Sequence, residues 1–142
     1  MERQGYYFGK DKTKGMETKL TILVDTCILI DFLRGEQSVY DFFVDDETVE
    51  LAMSTVTMME LLVGAFNNRE VQQIQKAFKK VKNIFINEDI SRIAQDLIIK
   101  YTKSHNLKIP DALIAATASA MNVALITYNR SDFQYIPDLI II

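Results

Sequence analysis

Leu20-Thr21-Ile22-Leu23-Val24-Asp25-Thr26-Cys27-Ile28-Leu29-Ile30 is a mostly apolar run interrupted by a single charge, an acid followed at once by a hydroxyl. Leu20 to Val24 reads as a buried strand, and Thr26 to Leu33 as a short helix stopped by Gly35. A strand that gives way to a helix across one residue leaves that residue, Asp25, at the strand's carboxyl end. In open α/β sheets ligands bind there, so an acid at this place says more than one on a helix face. A bland explanation exists beside the functional one: Asp25 can be simply the N-cap of the helix that follows.

Working outward, a second short helix is predicted from Ser38 to Val44, a strand from Glu50 to Ser54, and a helix from about Thr57 to Phe66. Arg69 to Val81 carries Val71, Ile74, Phe78 and Val81 at helical spacing, and Lys82 to Ile86 resembles a strand. The clearest helix is Ile90 to Lys103, where Ile90, Ile93, Ala94, Leu97, Ile98 and Tyr101 share one face. Pro110 suits the first position of a helix running to about Met121. Val123 to Thr127 is the next strand, and Leu139 to Ile142 a short final one. Strands separated by helices predict an α/β three-layer sandwich, with a mostly parallel central sheet flanked by helices. The uncharged stretch from Ala112 to Asn129 is interrupted by Thr117, Ser119, Asn122 and Thr127, so it reads as a covered helix and strand rather than a membrane span.

Composition narrows the chemistry. The chain has 142 residues, 49% hydrophobic and 25% charged, which suits one globular domain able to bury about two-thirds of its surface. The single cysteine, Cys27, cannot form an internal disulfide, and no charged start leads into an apolar leader, so a cytoplasmic protein is expected. The single histidine, His105, excludes mechanisms needing two imidazoles from this chain, and one Cys with one His cannot build a thiolate- or imidazole-rich zinc site. Carboxylates are left to do the work. The net charge of −3 is not that of a basic platform that grips nucleic acid by charge alone. Charge is uneven, with five Lys/Arg against three Asp/Glu in residues 1–19. That segment is expected to be an appendage, with Met16 a candidate start, and residues 20–142 the domain.

Several polar residues stand at ends of elements. Asn129 follows Ala124-Leu125-Ile126-Thr127-Tyr128, so parallel pairing would bring it to the same rim as Asp25; it can equally be a turn former. Glu60 lies in Thr57-Met58-Met59-Glu60, whose spacing is also that of a capping box. Asp111 stands in the first turn of an apolar helix, where the helix dipole favours a negative group by roughly 0.3–1 kcal/mol. Each has a sufficient local reason, but together they can project into one cleft.

Here the sequence resembles the PIN-domain nucleases, in particular the small VapC-type toxins of toxin–antitoxin pairs. Ile22 to Ile30 resembles the family's opening strand and first aspartate, and Ser54-Thr55-Val56-Thr57-Met58-Met59-Glu60-Leu61 its glutamate-bearing block. Ile109-Pro110-Asp111-Ala112-Leu113-Ile114-Ala115-Ala116-Thr117-Ala118 resembles the third block, and Leu125-Ile126-Thr127-Tyr128-Asn129-Arg130-Ser131-Asp132-Phe133 the fourth. Four blocks in order cover about residues 20 to 140. The resemblance implies a metal-dependent endoribonuclease toxin, a homodimer silenced by a cognate antitoxin, with Asp25, Glu60 and Asp111 as the acidic metal site. Asn129 falls where relatives carry an aspartate or an asparagine and ranks ahead of Asp132, while Phe133 is a packing anchor. Mg²⁺, or Mn²⁺ in its place, would relieve the repulsion among these acids and toward a phosphodiester. Asp25 and Asp111 are the first choices as ligands, and Glu60 is a ligand or the base that orients water.

RNA contacts are expected from Arg130 beside the site, or from Lys76, Lys79 and Lys80 on one helix, each of which can equally be a solvated surface charge. Cys27 is expected to pack in its helix, and His105 to be exposed in a polar connection. Apolar side chains left over on the two early helices could serve a dimer or an antitoxin segment. Two competing functions remain: a catalytically silent protein-binding domain, and an aspartyl-phosphate phosphoryl-transfer enzyme. The second lacks another acid two residues after Asp25.

Overall fold

The computed structural model describes residues 7–8 and 18–142. The expected appendage over residues 1–19, with the candidate start at Met16, lies largely outside them. Its backbone is described at strand β1 (Tyr7–Phe8), which pairs antiparallel with the start of β2 (Lys19–Val24). Strand β3 (Val49–Ser54) lies parallel to β2 on one side and β5 (Ala124–Ile126) parallel on the other, with β4 (Lys82–Ile84) parallel beyond β3. The four parallel strands run in the order β5-β2-β3-β4. Each crossover carries two helices. These are α1 (Thr26–Leu33) with α2 (Val39–Phe43), α3 (Thr55–Val63) with α4 (Asn68–Ala77), and α5 (Glu88–His105) with α6 (Ile109–Met121).

Successive strand side chains point to opposite faces, and these strands are apolar on both, as a covered parallel sheet must be. Leu23, Ala52 and Leu125 pack on one face with Ile90, Ala94 and Leu97 of α5 and with the alanines of α6. Ile22, Val24, Leu51, Met53 and Ala124 pack on the other with Ile28 and Leu29 of α1, Tyr40 of α2, and Ile74 of α4 with Phe78 just after it. The expected three-layer sandwich is present.

Most element ends shift by one to three residues from expectation, as at β4, which ends at Ile84 and not Ile86, and three differences matter most. Helix α3 begins at Thr55 rather than about Thr57, because Ser54 ends β3 and caps the helix at once, its hydroxyl accepting from Val56 N at 3.1 Å. Helix α4 stops before Val81, which is buried by the turn leading into β4 and not by a further helical turn. The expected strand over 139–142 reduces to a single parallel bridge between Ile141 and Leu125.

After β5 the chain forms a 3-10 turn, Arg130–Asp132, and drops Phe133 into the α5–α6 core with no exposed surface. Phe133→Ala should destabilise the fold by about 3–5 kcal/mol, read as a lowered urea midpoint at unchanged slope. A loss under about 1 kcal/mol would show that this ring does not anchor the segment.

Candidate active site at the carboxyl ends of β2 and β5

The chain winds from β2 through β3 to β4 in one direction and returns to place β5 on the other side of β2. The crevice at such a reversal, outside the carboxyl ends of the strands, is where this sheet can admit a ligand. Asp25 stands there. Its N–H donates to Ile126 O at 3.0 Å, adding a rung to the β2–β5 ladder, and it is 5% exposed. Oδ1 accepts from Thr26 N at 2.8 Å, so the expected N-cap is real. Oδ2 accepts from the Thr127 hydroxyl at 2.7 Å, and Thr127 in turn accepts from Asn129 N at 2.9 Å. The cap and the site are therefore one carboxylate.

Glu60 lies on α3 with its side chain turned to α1. The Thr26 hydroxyl donates to Glu60 Oε1 at 2.8 Å and lies 2.9 Å from the Thr57 hydroxyl. A hydroxyl has one proton, so with Thr26 donating to Glu60 it is Thr57 that donates to Thr26. The capping-box explanation of Thr57 and Glu60 fails for a physical reason: Ser54 already caps α3, and Thr57 is buried inside the helix.

Asp111 stands in the first turn of α6, half-buried. Its carboxyl is pushed up to about 6, first by burial and then by the negative charges of Asp25, Asp132 and Glu60. Carboxyls from α3, the end of β2 and the turn after β5 thus act on this one group of α6. The Tyr135 phenol is raised as well, by burial and then by Asp111 and Asp132, which sets it beside the same centre.

Asn129 itself is exposed, and its backbone reaches Asp25 through Thr127. Arg130 is exposed in the turn that follows. Lys80 pairs with Asp45 at 3.3 Å and lines a cavity with Lys19 and Val49, the first residues of β2 and β3, at the opposite end of the sheet from Asp25. Lys76, in the last turn of α4, and Lys79, just beyond it, are exposed. Sequence reasoning missed the hydroxyls of Thr26, Thr57 and Thr127, whose signal was a buried polar residue in an otherwise apolar block. Cys27 also reaches the site, with Sγ 3.5 Å from Asp25 Oδ2, and burial foremost raises its thiol pKa, keeping it neutral.

The family model described as PIN domain matches residues 22–139. The chain belongs to the PIN-domain family. It is 35% identical over 120 residues to Ribonuclease VapC19 of Mycobacterium tuberculosis, spanning 82% of this chain and 95% of that protein. Ribonuclease VapC10 of the same organism is 34% identical over 120 residues, spanning 83% and 90%. Among solved structures, a toxin–antitoxin complex from Klebsiella pneumoniae matches with a TM-score of 0.68 at 34% identity, covering 84% of this chain and 95% of that one. VapBC-1 from nontypeable Haemophilus influenzae matches with a TM-score of 0.73 at 25% identity, covering 87% and 97%.

The donors that converge in this PIN domain are carboxylate oxygens, which suit a hard divalent cation such as Mg²⁺. No ion pair among the described residues involves Asp25, Glu60, Asp111 or Asp132. Their charge is therefore not balanced by a bonded cationic side chain. Among the described residues no group of three or more His, Cys, Asp or Glu is placed to hold an ion as it stands, Asp25 and Glu60 being turned to hydroxyl and amide partners. Each carboxylate oxygen has two acceptor positions, so those bonds leave capacity for a cation, and the donor set fits one.

The raised Asp111 pKa has a stability consequence. A carboxyl whose folded pKa, about 6, exceeds its ordinary 3.8 contributes most favourably below the ordinary value and loses that contribution as pH rises through about 6. Without divalent metal, Asp111→Asn should raise Tm at pH 7.5 by about 2–4 °C, for a gain of about 1 kcal/mol after discounting for partial exposure. The difference should vanish near pH 4. A Tm difference that does not change with pH would remove Asp111 from the charged cluster.

Proposed function

We propose that this PIN domain is an endoribonuclease, the toxin of a VapBC-type pair, working with Mg²⁺ held by Asp25 and Asp111. The observation that carries this reading is the convergence of three carboxyls, from Asp25, Asp132 and Glu60, on a fourth, Asp111, at the sheet's winding reversal, in a chain 35% identical to a protein named a ribonuclease. Bound Mg²⁺ supplies positive charge against the phosphate oxygens and makes a water more acidic. Thr26 N and Thr127 hold the Asp25 carboxylate in one orientation. Glu60, fixed through one oxygen by Thr26, orients the attacking water and takes its proton. The water oxygen bonds to phosphorus, the bond to the 3′ oxygen breaks, and that oxygen takes up a proton. The products are a 5′-phosphate and a 3′-hydroxyl. Asp132 supplies the fourth acid, since its charge acts on Asp111, whereas Asn129 acts through Thr127.

The antitoxin would lie in a groove of about 460 Å³ that runs off Glu60 and is lined by Ile30, Leu33, Arg34, Gly64 and Ile74. Leu33, on α1, is 40% exposed there. No helix among the described residues is long and apolar enough to cross a membrane, and the cytoplasm, where RNA is met, is the proposed place of action.

Incubation of total RNA with Mg²⁺ or with EDTA, followed by mapping of the ends, tests the reading. Cleavage should need the metal, and Asp25→Asn and Asp111→Asn should each lower it by about 10²-fold or more. Millimolar Mg²⁺ should raise Tm of the unaltered chain and not of Asp25→Asn. A chain that neither cleaves RNA nor responds to metal is a protein-binding PIN domain instead.

A further inference from the structure

An acidic centre on an acidic protein does not by itself hold RNA, and Lys80 is engaged at the far end of the sheet. The junction between α5 and α6 offers something else. It reads Lys103-Ser104-His105-Asn106-Leu107-Lys108 and leads directly into Ile109-Pro110-Asp111. His105 is exposed, yet its ring is fixed from three sides. It stacks on Tyr135 with centroids 4.0 Å apart and planes 13° from parallel. It meets Tyr101 edge-on at 5.7 Å, and its Nδ1 lies 2.8 Å from the Ser104 hydroxyl. Tyr135 is itself braced edge-on by Tyr101 at 5.2 Å.

Favourable charge at the carboxyl end of α5 would require only a histidine there, not a ring held flat against a tyrosine thirty residues later. Holding an exposed side chain in one rotamer costs conformational entropy, and here the exposed ring is held against Tyr135 on one face. His105 stands six residues before Asp111 at the α5–α6 junction and Tyr135 three residues after Asp132, and Tyr135 lies within electrostatic reach of both acids. Lys103 and Lys108, both exposed, lie two residues before and three residues after His105 in the chain. A stacking surface with nearby cations is the combination that holds single-stranded nucleic acid, the ring taking a base and the ammonium groups taking phosphates.

We propose that the outer face of His105, backed by Tyr135, is the stacking subsite for an unpaired RNA base next to the cleaved phosphodiester, with Lys103 and Lys108 on the neighbouring phosphates. The subsite rests on the ribonuclease reading above, and its ring can take only a base that is not paired. Its contribution is to binding, and it requires no proton transfer from the imidazole.

The test combines kinetics with a fluorescent base. His105→Ala should raise KM for a single-stranded oligoribonucleotide about 5- to 150-fold while kcat changes far less, and His105→Phe should restore KM. In a Glu60→Gln background with Mg²⁺, which keeps Asp25 and Asp111 for the metal, 2-aminopurine walked along the oligonucleotide should be quenched at one position. That quench should vanish with His105→Ala and return with His105→Phe. His105→Ala should lower Tm by a few degrees at most through the lost stack, and recovery of KM and of the quench with His105→Phe, which carries no charge, is what a purely helix-capping histidine would not give. A KM unchanged in His105→Ala, or no quenched position in the Glu60→Gln parent, overturns the subsite while leaving the ribonuclease reading standing. An unaltered chain that cleaves no RNA with any divalent cation overturns both.

Discussion

The structure turns on the single residue between β2 and α1. Asp25 carries a backbone bond to the neighbouring strand, the cap of the following helix, and a carboxylate that is almost completely buried. A buried charge is costly unless its acceptor positions are filled, and here the partners come from Thr26 N at 2.8 Å and the Thr127 hydroxyl at 2.7 Å. Those same partners tie the site together, since Thr26 reaches on to Glu60 and Thr127 brings in the turn after β5.

Hydroxyls, not cationic side chains, satisfy these acids. That choice leaves the centre with surplus negative charge, which adds to burial in making Asp111 reluctant to ionise. An arginine in the same place would settle the electrostatics of the empty fold and compete with any cation brought to it. Neutral donors orient the carboxylates without cancelling them, which is what a site for a hard metal and a phosphodiester requires.

The sheet and its two cores were legible because β2, β3 and β5 are apolar on both faces, and the long helix α5 because its apolar face is unbroken from Ile90 to Tyr101. The start of α3 was not, because strand and helix meet without a loop and the apolar sequence runs on across the boundary. That hidden boundary is also why Thr57 and Glu60 read as a capping box. The hydroxyl network was illegible for a different reason: Thr26 meets Glu60 across 34 positions and Thr127 meets Asp25 across 102, distances that local pattern does not encode. Helical spacing placed Lys76, Lys79 and Lys80 on one helix, but α4 ends at Ala77, so Lys79 and Lys80 lie beyond it, and spacing carries no information about which end of the sheet they occupy. His105 was read correctly as exposed, while the tyrosine that orients it lies beyond α6 and β5.

The absence of a linker between Ser54 and Thr55 couples the azimuth of Glu60 to the pleat of β3. An α-helix advances about 100° per residue, so one inserted or deleted position ahead of Glu60 would swing its carboxylate off Thr26 to another side of the cylinder. The turn at Gly35, whose φ of 78° already suits a tight bend, can lengthen or shorten over evolution without touching the acids. The stretch from Ser54 to Glu60 cannot, and length variation among descendants of this chain should be tolerated in the first place and purged from the second.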